Sequence, residues 1–253
     1  MLADKSAHKA ARSWSLGDHS PVGDHRTLAE KAFISLHEAI LTGMLKPGER
    51  IPIEDLAAAL EMSPMPVREA VRRLDALGLV ENVPHKGARI TKLSIDDLCE
   101  IYEARLALEP LAIARAARAF GPENEARART ALSSMRTEAT GSVGGWRAHS
   151  EFHLSIYRAA RSIWLLRLIE PLWESSERYR LAMAPAARPA KRIKMHEVLL
   201  RACIEHDTEA AALELHNHLA ATANSLAEAL GSAVVFEPLT KAGAAVPARR
   251  ATG

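Results

Sequence analysis

Eleven histidines in 253 residues supply a set of imidazoles whose spacing points to metal chemistry. His149 and His153 stand four apart on one predicted helix, so both rings leave the same face. That spacing is the one metalloprotease helices use to chelate zinc. His196 lies early in a later helix, and His216 and His218 lie in the last one. Imidazole nitrogens suit zinc, nickel, copper or iron. Periodicity leaves the last helix open. At about 100° per residue, His216 and His218 each fall roughly 80° from the centre of the Leu215/Leu219/Leu226 stripe, on opposite sides. His37 and His206 read as surface residues. Cys99 and Cys203 form neither a disulfide framework nor a zinc ribbon and read as small buried apolar residues. A metal with an open position could also activate water. Only Glu151 and Glu197 stand beside the histidines as general bases, so a metal hydrolase is the rival reading and a non-enzyme the preferred one.

A second chemistry lies upstream. Arg68 and Arg72 are four apart on a predicted helix whose other face is Val67, Ala70, Val71, Leu74 and Leu77, with Ser63, Pro64 and Met65 at its start. A helix in the DNA major groove needs an apolar back, a basic front and its positive N-terminal end toward phosphate. Residues 24–92 hold ten basic and ten acidic side chains, but within 63–92 the count is six basic (Arg68, Arg72, Arg73, Lys86, Arg89, Lys92) against three acidic (Glu69, Asp75, Glu81). Positive charge is therefore concentrated on one helix and the segment after it.

The elements that must position these groups divide the chain in two. Residues 1–24 read as a flexible tail. Thr27 and Glu30 open a helix with a capping-box pattern, and Gly43 and Lys46-Pro47-Gly48 close it. A short helix fits 53–61. Ser63 followed by Pro64 starts a third that runs to about Ala76. Strands are expected at 79–83 and 88–91 around Pro84-His85-Lys86-Gly87. This is the outline of a winged helix-turn-helix over 25–93. Ser94 and Asp97 then open a long helix that Pro110 should bend. Further helices fit about 122–139, 146–160, 162–183, 189–206 and 208–231. The predicted fold is mainly α: an N-terminal winged helix-turn-helix, three helices plus a β-hairpin, followed by an all-α helical bundle over 94–231. The Ala/Gly/Pro-rich residues 232–253 read as a second flexible tail.

Composition sets outer bounds. A net charge of +2 with 25% charged residues excludes a histone-like polycation and an acidic disordered chain. No apolar run approaches the roughly 18 residues of a membrane helix, and the first twenty residues lack the apolar block of a secretory signal. A cytoplasmic, reducing setting without membrane contact is expected.

The stretch from Ile40 to Leu93, with ILTGMLKPGERI, EDLAAALEMSPMPVREAVRRLDALGLVE and PHKGARITKL, resembles the DNA-binding domain of the GntR family of bacterial transcription regulators. The resemblance implies that Ser63, Met65, Pro66 and Arg68 contact the major groove, with Arg72 on the same basic face, and that Lys86 and Gly87 at the wing tip reach the minor groove. Many members carry a basic residue where this chain has Pro64 and a threonine where it has Met65. A bidentate arginine–guanine pair at such a position supplies about 1–3 kcal/mol of discrimination, and proline cannot form one.

From about Ser94 to Leu230, with YEARLALEPLAIARAA, EFHLSIYRAA and HEVLLRACIEHDTEAAALELHNHL, the chain is similar to the FCD ligand-binding domain of the FadR subgroup. In metal-containing FCD domains a carboxylate and three histidines hold a divalent metal. The resemblance assigns these to His153, His196 and His218, and puts His149 where the carboxylate usually stands. Four neutral imidazoles leave the metal more positive, which favours zinc or nickel over manganese and leaves room for a small carboxylic-acid effector. Arg105 matches an arginine often found in the FCD pocket, where its fork would suit that carboxylate. The alternative is a salt bridge to Glu109. Arg161-Ser162 stands where the family usually has Gly-Asn. The resemblance implies a homodimeric repressor on a near-palindromic double-stranded DNA operator, or a regulator whose metal is structural or itself the signal.

Overall fold

The structure, a computed structural model, describes residues 27–83, 87–139, 142–183, 189–233 and 236–240. The stretch read as a flexible N-terminal tail lies outside them, as do Pro84, His85, Lys86 and residues 241–253. Three helices come first: α1 (Leu28–Leu41), α2 (Ile53–Ala59) and α3 (Pro64–Ala76). An antiparallel hairpin follows, β1 (Val80–Val83) and β2 (Gly87–Ile90), in register Val80↔Ile90 and Val83↔Gly87. Segment 48–51, at the end of the expected Lys46-Pro47-Gly48 turn, also lies against β2, through an Arg50↔Arg89 bridge and Ile51 N–H to Ala88 O at 2.9 Å.

Six helices complete the chain: α4 (Ile95–Arg118), α5 (Pro122–Thr137), α6 (Val143–Arg158), α7 (Ile163–Ala182), α8 (Pro189–Ile204) and α9 (Thr208–Ala229). Helix α6 begins three residues before its expected start. Ser142 Oγ accepts Gly145 N–H at 2.9 Å and caps the helix, while Ala139 O lies where a Cβ at 145 would sit, 2.4 Å away. A glycine is therefore what lets the loop carbonyl approach this first turn.

Each half has its own apolar core. The first gathers Leu36, Leu56, Val67, Leu74, Leu79 and Ile90, and the second Tyr102, Ile113, Phe152, Trp173, Leu199 and Leu215. The caps also tie elements together. Thr27 Oγ1 accepts Glu30 N–H at 3.1 Å, while the Glu30 carboxylate reaches Arg73 on α3 at 2.6 Å. Ser94 Oγ accepts Asp97 N–H at 3.2 Å, and the Asp97 carboxylate accepts from Arg178 and Tyr179 of α7.

Residues 236–239 correct the expectation of a flexible tail from 232 onward. Asn217 and Asn224, two turns apart on α9, hold this segment through their side-chain amides. Phe236 N–H donates to Asn224 Oδ1 at 2.7 Å and Leu239 N–H to Asn217 Oδ1 at 2.7 Å, with each amide nitrogen donating back to the same residue's carbonyl at 3.0 Å. Phe236 is buried in the core. The alanines and glycines that dominate the composition here hide one buried aromatic with two amide clamps. Among the described residues, no helix is long and apolar enough to cross a membrane.

Candidate DNA interface and histidine centre

Helix α3 buries Val67, Ala70, Val71 and Leu74 and turns its other side to solvent. Ser63 is the extended N-cap residue, its hydroxyl makes no capping bond, and no acidic residue stands in the first turn. Pro64 and Pro66 carry no N–H, so the Ser63 hydroxyl and the Met65 N–H are the donors this first turn keeps for phosphate, beside the positive helix end. Met65 is 64% exposed, Arg68 and Arg72 are exposed, and Pro66 is half-buried. Arg68 Nη2 pairs with Glu54 Oε1 of α2 at 2.8 Å. Arg73 does not belong to this front. Its guanidinium lies 4.0 Å over the Phe33 ring and pairs with Glu30, so one of the six charges counted from sequence holds α3 to α1. Gly87 has φ +78, the left-handed conformation that glycine adopts freely at a wing. Lys86 lies outside the described residues.

In the second half α6, α8 and α9 bring His149, His153, His196 and His218 together, one ligand nitrogen from each lying within 4.8 Å of the others. The register of α9 settles what periodicity left open. His218 points into the cluster, while His216 faces the C-terminal segment, its Nε2 at 3.4 Å from Glu237 O. Burial, then the neighbouring cations and rings, hold His149, His153 and His218 well below the ordinary histidine range. Burial pushes His196 down to about 3, against its hydrogen bond to the Arg192 carbonyl. Four neutral imidazoles are the protonation state a metal requires.

His196 Nδ1 donates to Arg192 O at 2.7 Å. Tyr157 donates its hydroxyl to Glu109 Oε2 at 2.6 Å, so its oxygen is left to accept from His153 Nδ1 at 3.3 Å. The remaining nitrogens, His153 Nε2 and His196 Nε2, then both carry lone pairs and face each other at 3.1 Å. Two such lone pairs repel unless a cation is shared. His218 Nδ1 is buried with no partner among the described residues. A tetrahedral zinc–imidazole site has nitrogen–nitrogen edges of about 3.4 Å, and the His153–His196 pair is close to that edge. The four nitrogens together spread up to 4.8 Å and Arg180 Nη1 lies against both nitrogens of His149, so the set fits such an ion once it draws in and His149 turns from Arg180.

Sequence reasoning missed the residues around this cluster. On α7, Trp173 stacks on His149 at 5.2 Å between ring centroids, and Arg180 Nη1 meets His149 Nδ1 at 2.7 Å and Glu177 Oε1 at 2.8 Å. Glu177 is raised by burial, with Arg180 opposing. Trp173, Ser176, Glu177 and Arg180 recur at i, i+3, i+4 and i+7, one helical stripe. Polar residues on an inward stripe were the signal available. For Arg105, the salt bridge is the reading observed. The side chain is buried, its Nε donates to Glu109 Oε1 at 2.5 Å, its Nη2 to Oε2 at 3.3 Å, and its Nη1 to Ser176 Oγ at 2.8 Å. Burial disfavours its charge, but the Glu109 carboxylate more than compensates and holds it protonated. Cys99 and Cys203 are both buried, as expected, and burial raises the Cys203 thiol to about 12.

His37 corrects a second expectation. It is 5% exposed rather than a surface residue, stacked on Phe33 and with Nε2 at 2.7 Å from Glu174 Oε2. Helix α7, from which Glu174 reaches it, covers it. Ser175 Oγ donates to Leu77 O at 2.5 Å beside Gly78, and Arg147 pairs with Glu38. His206 is exposed, as expected, its Nδ1 at 2.7 Å from Ala117 O.

Residues 28–90 match the family described as bacterial regulatory proteins, gntR family, and residues 100–221 match the FCD domain. An HTH-type transcriptional regulator of Paraburkholderia xenovorans, BphR, is 32% identical over 81% of this chain and 88% of its own length. The chain belongs to the GntR family. A probable D-xylose utilization operon repressor of Paenarthrobacter nicotinovorans is 35% identical to this GntR regulator over 72% of the chain and 81% of its own. Among solved structures, Escherichia coli McbR/YncC superposes with a TM-score of 0.70 at 26% identity, covering 80% of this chain and 98% of that one. The GntR and FCD units of this protein are those of DNA-binding transcription regulators rather than of an enzyme.

Proposed function

We propose that this GntR regulator is an operator-binding repressor whose FCD domain holds zinc or nickel on His149, His153, His196 and His218 and answers to a small carboxylic acid. The observation that carries the reading is the pair of lone-pair nitrogens, His153 Nε2 and His196 Nε2, facing each other at 3.1 Å. When bound, the metal would supply an electrophilic position for the effector carboxylate. Arg180, with its side chain 20% exposed beside His149, is the cation placed to receive the same carboxylate. Arg105 is already committed to Glu109 and Ser176, and acts through the shape of the pocket.

Helix α7 supports a route to the DNA-binding half. Over eight residues it carries Trp173, Ser176, Glu177 and Arg180 toward the histidines, Glu174 and Ser175 toward α1 and Leu77, and Arg178 and Tyr179 toward Asp97 and Ser94. An effector that binds two positions of α7 with different affinity shifts the placement of the head; equal affinity would shift nothing. Among the described residues, Ile163, Trp164 and Leu168 of α7 and Leu111 of α4 are the large exposed apolar side chains of the helical domain. We assign the homodimer contact to this face, so that two heads meet a two-fold operator.

Metal analysis of the purified protein and titration of DNA from its own promoter test this reading. We expect near-stoichiometric zinc or nickel, lost in His153→Ala, and an operator affinity that moves when an effector acid is added to loaded protein only. Full operator response after chelation would mean that the metal has no part. Constant affinity across a wide panel of carboxylic acids would leave the metal as a structural group or as the signal.

A further inference from the structure

We propose that Arg180 decides whether His149 joins the metal site: it holds the ring until a carboxylate from solution draws it off, and Glu177 is the positioning residue that then takes His149 over. The exchange rests on the metal reading above and names how that site is regulated. Arg180 Nη1 lies 2.7 Å from His149 Nδ1, 3.1 Å from its Nε2 and 2.8 Å from Glu177 Oε1. Guanidinium nitrogens only donate, and a neutral imidazole has a single ring lone pair to accept with. Whichever ring nitrogen accepts, the contact uses that lone pair and leaves His149 none for a metal. His153 and His196 are placed differently. Their Nδ1 atoms meet Tyr157 and the Arg192 carbonyl, and their Nε2 atoms face each other.

Arg180 is also the member of its group that a solute can reach. Its side chain is 20% exposed, against 2% for both His149 and Glu177. A carboxylate that draws the guanidinium away breaks two contacts at once. His149 regains its lone pair, and Glu177 becomes a buried carboxylate without its cation, which is costly unless another donor replaces it. His149 Nδ1 stands 3.9 Å from Glu177 Oε1, close enough to take that place after a small turn of either side chain. With its proton on Nδ1 and donated to Glu177, the ring keeps its lone pair on Nε2. A histidine anchored to a carboxylate in this way is fixed in one tautomer and is the more basic ligand. The solute carboxylate replaces Glu177 on Arg180, and His149 replaces Arg180 on Glu177, so no buried charge is left without a partner. Linkage then requires that carboxylate and metal strengthen each other by the same factor.

The test titrates zinc into metal-stripped, full-length protein against a competing chelator, with acetate in large excess as the carboxylate probe. Without acetate, His149→Ala should change zinc affinity by less than about threefold, because the lone pair it removes is already in use. In an Arg180→Met background the same substitution should cost about tenfold or more. Removal of a positive charge tightens zinc in both backgrounds alike and cannot produce this difference. Glu177→Gln added to Arg180→Met should weaken zinc by about tenfold. That double variant strands no charge and carries the His149→Ala comparison if Arg180→Met alone fails to fold. Acetate should tighten zinc about fivefold more in the wild type than in Arg180→Met. An equal cost of His149→Ala in every background, or an equal effect of acetate on wild type and Arg180→Met, overturns the exchange and leaves the metal reading standing. Absence of zinc from wild type and Arg180→Met alike overturns both.

Discussion

Two arginine–glutamate pairs illustrate how differently the halves of this regulator use one chemistry. Arg68–Glu54 on the DNA-binding face spans 2.8 Å with side chains 49% and 70% exposed. Arg105–Glu109 beneath the histidine centre spans 2.5 Å with side chains 2% and 0% exposed. An exposed pair in water contributes about 0–1 kcal/mol and dissolves readily when a better partner arrives. A buried pair cannot be opened cheaply, because either partner alone would be an uncompensated charge in a low-dielectric interior. The first arrangement suits a surface that exchanges partners, as the proposed DNA contact of Arg68 would require. The second suits a scaffold that must hold Tyr157, and through it His153, in one tautomer.

The largest effect is therefore expected at the buried pair. Glu109→Ala strands the Arg105 charge and removes the acceptor of the Tyr157 hydroxyl, and should destabilise the protein by about 3–5 kcal/mol in chemical unfolding. A loss below about 1 kcal/mol, typical of exposed pairs, would erase the contrast between the two regions. Acid should strike the same region. The clustered histidines are neutral in the folded state, His196 being held at about 3 against 6.5 in a free chain. Below pH 6.5 the unfolded chain binds protons that the folded one refuses. Stability therefore falls as pH drops from 6.5 toward 3, and in metal-stripped protein His196→Gln should flatten that slope. A stripped variant as acid-sensitive as its parent would place the titration elsewhere.

What could be read from the residues follows the same division. The winged helix was legible because its signals are local: Ser63-Pro64 starts α3, Val67, Ala70, Val71 and Leu74 mark its buried stripe, and Gly87 permits the wing. His149 and His153 were legible for the same reason, four residues apart on one helix. His216 against His218 was not, since each lies at the edge of the stripe and only the packing of α9 separates them. Trp173 and Arg180 escaped because the ring they meet, His149, lies far back along the chain on α6, and Glu177 because its local pair with Arg180 says nothing about the cluster. His37 was misread because its partner Glu174 lies 137 residues away. The 236–239 segment was misread because two asparagine amides on α9, rather than its own composition, hold it in place.

His37→Ala tests the contact that joins the halves. It removes a buried ring and leaves Glu174 without its partner, a loss of about 1–3 kcal/mol. If α7 carries the signal, effector response should fall more than operator affinity in the absence of effector. Equal losses of both would reduce His37 to packing.

The smallest effects on stability belong to the exposed face, where the effect on DNA should be large. Arg68→Ala should leave stability within about 0.5 kcal/mol while weakening operator binding by about 1–3 kcal/mol if the guanidinium reads a base. Arg72→Ala, if Arg72 meets only phosphate, should weaken all DNA alike and lower the salt slope by about 0.9. Glu54→Gln is the sharpest member of this set. It removes the partner of Arg68 and a negative charge beside the DNA face, so operator affinity should rise, by less than about tenfold given the small worth of an exposed pair. A fall in affinity would mean that Glu54 pre-aims Arg68 toward its base. The exposed pair would then resemble the buried one in function, a rigid support for a working group, and differ from it only in the energy needed to break it.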